Sequence, residues 1–162
     1  MVCTAAGVVR GRREGGLSVF RGIRYAAPPV GEDRFQAPRP PRPWDGVREA
    51  DAFAPPPPQE PDCQGSAADP DPPASDDWLT VNVWTAETSP RAPRPVVVWT
   101  HVGADKLGHA GSPGFDAQHI ARAGDLVVVN LNTRLGAKGF AWIEGARESM
   151  PARPGGRAAV GA

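Results

Sequence analysis

Two short, uninterrupted apolar runs are the strongest hydrophobic signal in the chain, and they lie at Val96–Trp99 and Leu126–Val129. Runs of this kind, rich in β-branched residues, are typical of strands buried on both faces of a parallel sheet. The stretch between them has about the length that a right-handed crossover needs. Within it the pattern predicts a helix over Phe115–Ala123, with Asp116 as the N-cap and Gly124 as the C′ residue. The sequence therefore predicts a βαβ unit.

Alternating apolar and polar residues predict further strands before this unit. Gly7–Arg10 and Leu17–Tyr25 alternate well enough to form a pair of strands, joined by a turn through residues 13–16. Trp44–Val47 is predicted to be a turn followed by a short strand or helix, and Leu79–Trp84 alternates as a strand.

Proline-rich segments separate these strands, at residues 28–31, 38–43 and 54–77. The first two are predicted to be extended. The third has almost no apolar side chains, so we expect a loop or disordered segment that contributes nothing to a core. The Pro-x-x-Pro spacing beside arginine in residues 38–43 is also compatible with an SH3 ligand, although a surface loop is the interpretation we favour.

The composition narrows the class of protein. The 162 residues carry 18 basic and 18 acidic side chains, so the formal net charge is zero and nothing indicates a nucleic-acid or anionic-membrane partner. Twenty prolines and 19 glycines are well above ordinary usage. No apolar run approaches the roughly 18 residues of a membrane span, and Met1–Gly16 lacks a signal-peptide core. We expect a cytoplasmic protein.

The candidate chemistry lies in the loop after the first apolar run, where residues 101–104 read H-V-G-A. A tight turn there aims consecutive backbone N–H groups at one point, which is an arrangement that can hold an oxyanion. His109 and His119 have no carboxylate or cysteine cluster at ligand spacing, so neither a metal nor another cofactor is predicted.

Four stretches carry motifs of a known family. They read, in chain order, VFRGIRYAAPPVGEDRF at Val19–Phe35, SDDWLTVNVW at Ser75–Trp84, WTHVGA at Trp99–Ala104 and NLNTRLGAKGF at Asn130–Phe140. They resemble the F-x-G-I-P-Y-A-x-P-P-V-G-x-x-R-F, S-E-D-C-L-x-L-N-V-W, W-x-H-G-G-(G/A) and N-Y-R-L-G-x-x-G-F motifs of the type-B carboxylesterases, the family that includes the cholinesterases. The resemblance implies an α/β fold, namely a partial α/β-hydrolase sheet. Antiparallel N-terminal strands would precede the first βαβ crossover, and the chain would be truncated before the nucleophile elbow.

The resemblance also implies hydrolysis of carboxylic esters through a serine acyl-enzyme, with small-molecule esters as substrates and no cofactor. By position, Gly103 and Ala104 would donate the oxyanion-hole N–H groups, and His101 would support their loop. The nucleophile is absent, because no serine has glycine at both −2 and +2; Ser112, for example, has Gly114 but alanine at −2. The acid and base of the triad would follow later still. We therefore predict that this chain alone is inactive.

Several positions depart from the family motifs: Arg24 stands in place of proline, Trp78 of cysteine, Val102 of the first loop glycine, Asp105 of an aromatic residue and Thr133 of tyrosine. A β-branched residue forced into a glycine-type conformation at Val102 costs on the order of 1–3 kcal/mol. Because Trp78 replaces the family cysteine, Cys63 has lost its implied partner and no disulfide is predicted. Together these departures suggest relaxed constraint.

Two segments of different origin are predicted. Residues 1–147 are assigned to the N-terminal part of a type-B carboxylesterase domain, and residues 148–162 to a tail that does not match the family. Moving the reading frame of the tail by one nucleotide can yield N-R-C-L-L-D-Q-V-A-A-L-R-W-V, which fits the family continuation at nearly every position. We therefore infer a single-nucleotide frameshift near Gly145–Arg147, with a short paralogue as the alternative. The coding DNA tests this, since a frameshift requires a shifted downstream frame that encodes an elbow-like G-x-S-x-G.

Two other interpretations remain open. A non-catalytic binding module would hold a partner through the glycine loop or a proline-rich segment, and it would be a stable monomer. One half of a split esterase would instead need a C-terminal half in trans to supply the triad. A partial sheet that ends after Leu126–Leu131 exposes an edge, so the truncated form is expected to fold marginally and to aggregate.

Overall fold

The computed structural model describes residues 1–59, 75–89 and 91–141. The strands in these ranges are β1 (Val2–Cys3), β2 (Val8–Arg10), β3 (Arg12–Glu14), β4 (Leu17–Arg24), β5 (Val47–Glu49), β6 (Thr80–Thr85), β7 (Val96–Thr100) and β8 (Val127–Leu131). The helices are α1 (Gln118–Ala123) and α2 (Gly136–Phe140), with 3-10 turns at Gly31–Asp33 and Pro113–Phe115. No helix in the described ranges is long and apolar enough to cross a membrane. The predicted tail and Cys63 lie outside the described residues.

The strands form two sheets, one in the order β1-β2-β5 and one in the order β3-β4-β6-β8-β7. In the five-stranded sheet β3, β4, β6 and β8 are successively antiparallel, whereas β7 and β8 are parallel. The parallel register runs from Val96 opposite Val127 to Thr100 opposite Leu131. Because α1 lies between these two strands in the chain, the predicted βαβ unit is confirmed. The strand predicted after Trp44 is also present, as β5.

The N-terminal strands have different partners from those predicted. The predicted pair Gly7–Arg10 and Leu17–Tyr25 is divided between the two sheets, with β2 in the first and β4 in the second. The predicted turn through residues 13–16 is too long, because its first two residues belong to β3, which pairs with β4. The turn consists of Gly15-Gly16 alone, with φ of 51° and 87°. Two successive positive φ values are what a two-residue hairpin turn requires, and glycine adopts them at no steric cost.

The last strand in the sheet order, β7, lies at an edge, which corrects two expectations. Burial of both its faces is wrong, because Val96, Val98 and Trp99 are 59%, 64% and 44% exposed. The prediction also places the open edge at Leu126–Leu131, whereas β8 lies between β6 and β7. The two corrections have different physical reasons. Faces are buried by elements that pack on them, and the exposed side chains show that the described elements leave β7 partly uncovered. The edge position follows from strand order, in which β7 pairs, among the described strands, with β8 alone.

The crossover helix is shorter than predicted. The helix begins at Gln118. Phe115 belongs to the preceding 3-10 turn, and the extended backbone of Asp116 separates that turn from the helix. Asp116 is not the N-cap residue, but its Oδ1 accepts the N–H of Gln118 at 3.0 Å. Gly124 is not a left-handed C′ residue either, since its φ is −101° and the left-handed conformation falls on Asp125, at 51°.

The core is built from small clusters on the faces of the sheets. In one, Trp84 of β6 packs with Val19 of β4, Val128 of β8 and Ala121 of α1. A second cluster joins Val9, Phe20 and Ala50, and a third joins Ala26, Trp78 and Leu79. The tryptophan that stands in place of the family cysteine is therefore part of the core. The arginine that replaces the family proline, Arg24, forms an ion pair with Asp77.

Candidate oxyanion site

The candidate loop begins where β7 ends, at the carboxyl end of the parallel β7–β8 pair. The chain turns at Gly103, whose φ of 136° is far more accessible to glycine than to other residues. A Cβ placed on Gly103 would lie 1.8 Å from the carbonyl oxygen of Leu107, so a side chain there would displace the backbone. The carbonyl oxygen of Gly103 accepts the N–H groups of Lys106 at 3.0 Å and Leu107 at 3.2 Å. These bonds close the turn.

The predicted oxyanion donors are the N–H groups of Gly103 and Ala104. In the part of the chain that the structure describes, neither N–H donates a hydrogen bond to a protein group. Most backbone N–H groups in a folded protein are paired, so two adjacent unpaired donors in an ordered turn are available to a ligand. A developing negative charge on oxygen is the ligand that such donors stabilise best.

Strain in this loop falls on residues other than the one predicted. Val102 does not have a positive φ, so the predicted cost of a glycine-type conformation there is wrong. The two residues after Gly103 take the left-handed conformation instead, with φ of 52° at Ala104 and 59° at Asp105. For a non-glycine residue this conformation costs about 1–2 kcal/mol. The surrounding contacts must therefore hold the loop in place.

Two contacts from distant segments provide that support. The carbonyl oxygen of Asp105 accepts the N–H of Gly136, the first residue of α2, at 2.7 Å. The side-chain amide of Gln59 binds both backbone groups of Gly108: its Oε1 accepts the N–H at 2.7 Å, and its Nε2 donates to the carbonyl oxygen at 3.0 Å. Both ends of the strained turn are therefore tied to other parts of the chain.

The position of Gln59 corrects the expectation for the proline-rich segment. The prediction gives residues 54–77 no part in a core, whereas Pro57 is fully buried and the carbonyl oxygen of Pro55 accepts a hydrogen bond from Asn132 at 3.2 Å. Proline rings are apolar and lack an N–H, so they can be buried at little polar cost. The remainder of this segment, residues 60–74, lies outside the described residues.

Buried asparagines fix the far end of the loop. The Nδ2 of Asn130 donates to the carbonyl oxygen of Ala110 at 3.0 Å, and the N–H of Ala110 donates to Oδ1 of Asn132 at 2.7 Å. Asn130 also accepts a hydrogen bond from Nδ2 of Asn82 at 2.7 Å, and Oδ1 of Asn82 accepts the N–H of Gly22 at 2.8 Å. A hydrogen-bonded path thus runs from β4 through β6 and β8 to the loop.

The ring of His101 contacts the loop from inside. Its Nδ1 lies 3.1 Å from the carbonyl oxygen of Val102, and a Cβ on Gly108 would approach the same nitrogen to 2.8 Å. Its Nε2 is buried and has no hydrogen-bond partner among the described residues. The ring therefore lies close to both Val102 and Gly108, and its supporting role stays a prediction.

The other two histidines have different surroundings. Nδ1 of His109 accepts the N–H of Gly111 at 3.2 Å, and His119 is exposed on α1. No group of three or more His, Cys, Asp or Glu side chains in the described ranges is placed to hold a metal ion.

A half-buried tyrosine contacts Asn132, and a buried arginine lies two residues further along the chain. The hydroxyl of Tyr25 donates to the carbonyl oxygen of Asn132 at 2.7 Å, and burial raises the pKa of Tyr25 to about 12. Arg134 is 7% exposed and donates to the carbonyl oxygen of Gln36 at 2.6 Å, and burial lowers its pKa from the usual value. A phenol with so high a pKa stays neutral at pH 7, so Tyr25 is a hydrogen-bond donor here and not a base.

Sequence reasoning missed the residues that hold the loop, namely Gln59, Asn130 and Asn132. The asparagines carry a readable signal, because Asn130 lies in an otherwise apolar strand, Asn132 directly follows that strand, and a buried amide needs a partner. Gln59 carries none, since it lies among prolines and its partner Gly108 is 49 residues away.

Comparisons with known proteins find a matching family model, similar sequences and similar solved structures. The sequence model of the Carboxylesterase family matches residues 1–150. Phenmedipham hydrolase of Pseudarthrobacter oxydans is 44% identical over 140 residues, which is 85% of this chain and 28% of that protein. Para-nitrobenzyl esterase of Bacillus subtilis is 40% identical over 149 residues, 92% of this chain and 30% of that protein. The crystal structure of Geobacillus stearothermophilus carboxylesterase EST55 superposes with a TM-score of 0.74 at 42% identity, covering 86% of this chain and 27% of that one. The chain thus spans less than a third of these relatives.

Proposed function

The chain belongs to the carboxylesterase family, and we propose that it supplies the oxyanion-binding part of a carboxylic ester hydrolase. The observation that carries the proposal is the pair of unpaired N–H groups on Gly103 and Ala104, at the carboxyl end of a parallel strand pair. Ligands of parallel sheets bind at this end of the strands.

The proposed chemistry is attack of a serine hydroxyl on an ester carbonyl. The proton of the hydroxyl passes to a base, and the carbonyl oxygen becomes the oxyanion that the two N–H groups stabilise. When this tetrahedral intermediate collapses, the base returns the proton to the leaving oxygen, and the alcohol departs to leave an acyl-enzyme. Water then hydrolyses the acyl-enzyme, which releases the acid and restores the serine. None of the 162 residues provides a serine in the G-x-S-x-G setting, so the chain alone has no nucleophile for this step. We therefore propose that the isolated chain does not hydrolyse esters.

A chimera tests the proposed role of the loop. The 149 matched residues of the Bacillus subtilis para-nitrobenzyl esterase are replaced by the corresponding residues of this chain, and hydrolysis of a short-chain p-nitrophenyl ester is measured. We expect the chimera to be active and to be inactivated by a serine-directed phosphonate. The isolated chain should show only the buffer rate. Saturable, phosphonate-sensitive activity of the isolated chain would overturn the proposal.

Two glycine variants of the chimera test the oxyanion donors themselves. Gly103→Ala places a methyl group against the carbonyl oxygen of Leu107 and so displaces the donors; loss of one such donor lowers kcat by about a hundredfold to a thousandfold. Gly114→Ala is the matched control, because a Cβ there meets nothing within 4 Å. Equal kcat for the two variants, with both folded by circular dichroism, would contradict the role of this loop.

A further inference from the structure

The two proposed oxyanion donors belong to two peptide units, and the structure holds each unit by different contacts. The N–H of Ala104 shares a planar unit with the carbonyl group of Gly103, whose oxygen accepts the N–H groups of Lys106 and Leu107. The N–H of Gly103 shares its unit with the carbonyl group of Val102. Because the N–H and C=O of one unit point in opposite directions, a contact that holds the carbonyl oxygen also aims the donor. The turn itself therefore aims the first donor, and contacts at the Val102 oxygen aim the second.

Gly108 packs against the carbonyl oxygen of Val102. A Cβ on Gly108 would lie 2.4 Å from that oxygen, so the backbone of Gly108 is in direct contact with it. The φ of Gly108 is 101°, a conformation that glycine adopts far more readily than other residues. The Nδ1 of His101 lies 3.1 Å from the same oxygen. The direction of the Gly103 donor therefore depends on where the backbone of Gly108 is held.

Gln59 holds that backbone with every hydrogen-bonding group of its side-chain amide. Its Oε1 accepts the N–H of Gly108 at 2.7 Å, and its Nε2 donates to the carbonyl oxygen of Gly108 at 3.0 Å. The same Nε2 donates to the carbonyl oxygen of Pro57 at 3.1 Å, and Pro57 is fully buried. An amide nitrogen has two hydrogens to donate, so both are used. The amide is thus anchored to a buried residue of its own segment and grips Gly108 at two points.

From these contacts, and resting on the proposed function, we propose that Gln59 is a positioning residue of the oxyanion site. It does not touch the substrate; it holds Gly108, and through Gly108 it aims the N–H of Gly103 at the oxyanion. The oxyanion forms only after attack has begun, so a misdirected donor lowers kcat and leaves KM unchanged. Only one of the two donors depends on Gln59. The loss therefore does not exceed that of one donor, which is about a hundredfold to a thousandfold.

The test uses the chimera with the Bacillus subtilis para-nitrobenzyl esterase and two substitutions at Gln59. Gln59→Ala removes both bonds to Gly108. Gln59→Glu, which is almost the same size, keeps the acceptor for the N–H but, when ionised, has no donor for the carbonyl oxygen. Gln36→Ala is the matched control, because Gln36 is also half-buried and its hydrogen bonds in the described part of the chain are made by its backbone.

The kinetics are measured with a short-chain p-nitrophenyl ester. We expect kcat to fall about tenfold to a hundredfold in Gln59→Ala, to fall less in Gln59→Glu and to stay unchanged in Gln36→Ala, with the same KM in all three. A higher KM with unchanged kcat in Gln59→Ala would overturn the proposal. If Gln59→Ala does not fold by circular dichroism, Gln59→Glu decides, and a kcat equal to that of Gln36→Ala would overturn the proposal.

Hydrogen exchange in the 162-residue chain gives a second measurement that does not depend on activity. The N–H of Gly108 loses its acceptor in Gln59→Ala, so it should exchange at least tenfold faster there than in Gln36→Ala. Equal exchange rates would show that Gln59 does not hold the loop.

The outcomes separate this inference from the proposed function. A large loss of kcat in Gly103→Ala together with an unchanged kcat in Gln59→Ala leaves the oxyanion role intact and removes the positioning role. Equal kcat in Gly103→Ala and Gly114→Ala removes the oxyanion role, and the positioning role is removed with it.

Discussion

The two outer strands of the five-stranded sheet, β3 and β7, face solvent with opposite chemistry. On β3 the guanidinium of Arg13 donates to Oγ of Ser18 at 3.0 Å and to the carbonyl oxygen of Ala86 at 3.1 Å, which covers part of the edge with charge. On β7, Val96 and Val98 are more than half exposed and have no charged neighbour on the strand. The backbone of both strands offers the same unpaired groups, so the two edges are distinguished by their side chains.

Removing a core side chain from the middle of the five-stranded sheet should cause the greatest loss of stability. Trp84 is 0% exposed and packs between Val19 and Val128, on the strands that connect the two edges. We expect Trp84→Ala to lower the free energy of unfolding by about 3–5 kcal/mol. Trp99→Ala, on β7 and 44% exposed, should cost about 1 kcal/mol or less. Urea unfolding followed by circular dichroism measures both, and equal losses would contradict the assigned burial.

The next largest loss of stability should be confined to the β7 side of the sheet and should leave the β3 side unchanged. Asn130→Ala leaves the amide of Asn82 and the carbonyl oxygen of Ala110 without their partner. We expect a loss of about 2–3 kcal/mol, because buried polar groups are left unsatisfied. Hydrogen exchange should accelerate in the loop after β7 and stay unchanged in the β3–β4 hairpin. The double variant Asn82→Ala/Asn130→Ala should lose less than the sum of the single losses; full additivity would exclude the coupling.

A smaller, pH-dependent effect is expected at the β3 edge. The hydrogen bond from Arg21 lowers the pKa of Glu14 from 4.5 in the folded state. The pair therefore stabilises the fold fully above pH 4.5, and this contribution is lost as pH falls through the lowered pKa. We expect Glu14→Gln to cost about 1 kcal/mol or less at pH 7, and the difference from the native chain to vanish in acid. Glu49→Gln, whose partner Arg10 is half exposed, is the control. A difference that grows in acid would contradict the assigned sign.

The smallest change in stability should come from giving β3 the chemistry of β7. Arg12→Val/Arg13→Val removes the charges of an exposed edge, so the free energy of unfolding should change by about 0.5 kcal/mol or less. Light scattering at equal concentration should nevertheless show severalfold more aggregate. Val96→Lys/Val98→Lys should do the reverse and reduce aggregation. If both double variants left the scattering unchanged, side chains at these edges would not control association.

The sequence predicts the positions of the strands and helices better than it predicts strand order, exposure and long-range contacts. The position of β7 follows from its β-branched run. Its exposure depends on which elements pack on its faces, and its edge position depends on strand order, and local periodicity encodes neither. The insertion of β8 between β6 and β7 is equally invisible to a local pattern. The glycine-type strain predicted at Val102 moves to Ala104 and Asp105, because the turn is set by hydrogen bonds to Gly103. The role of Gln59 arises from a contact across 49 residues.

The sheet order also has a consequence for the order in which the chain is made. Because β8 lies between β6 and β7, β7 cannot join the sheet until Leu131, the last residue of β8, has left the ribosome. At about 5–20 residues per second, the stretch from Thr100 to Leu131 takes roughly two to six seconds to synthesise. The β3–β4 hairpin, closed by Gly15-Gly16, pairs within microseconds of its emergence. The most apolar strand of the sheet is therefore the one that waits longest for its first partner on the nascent chain.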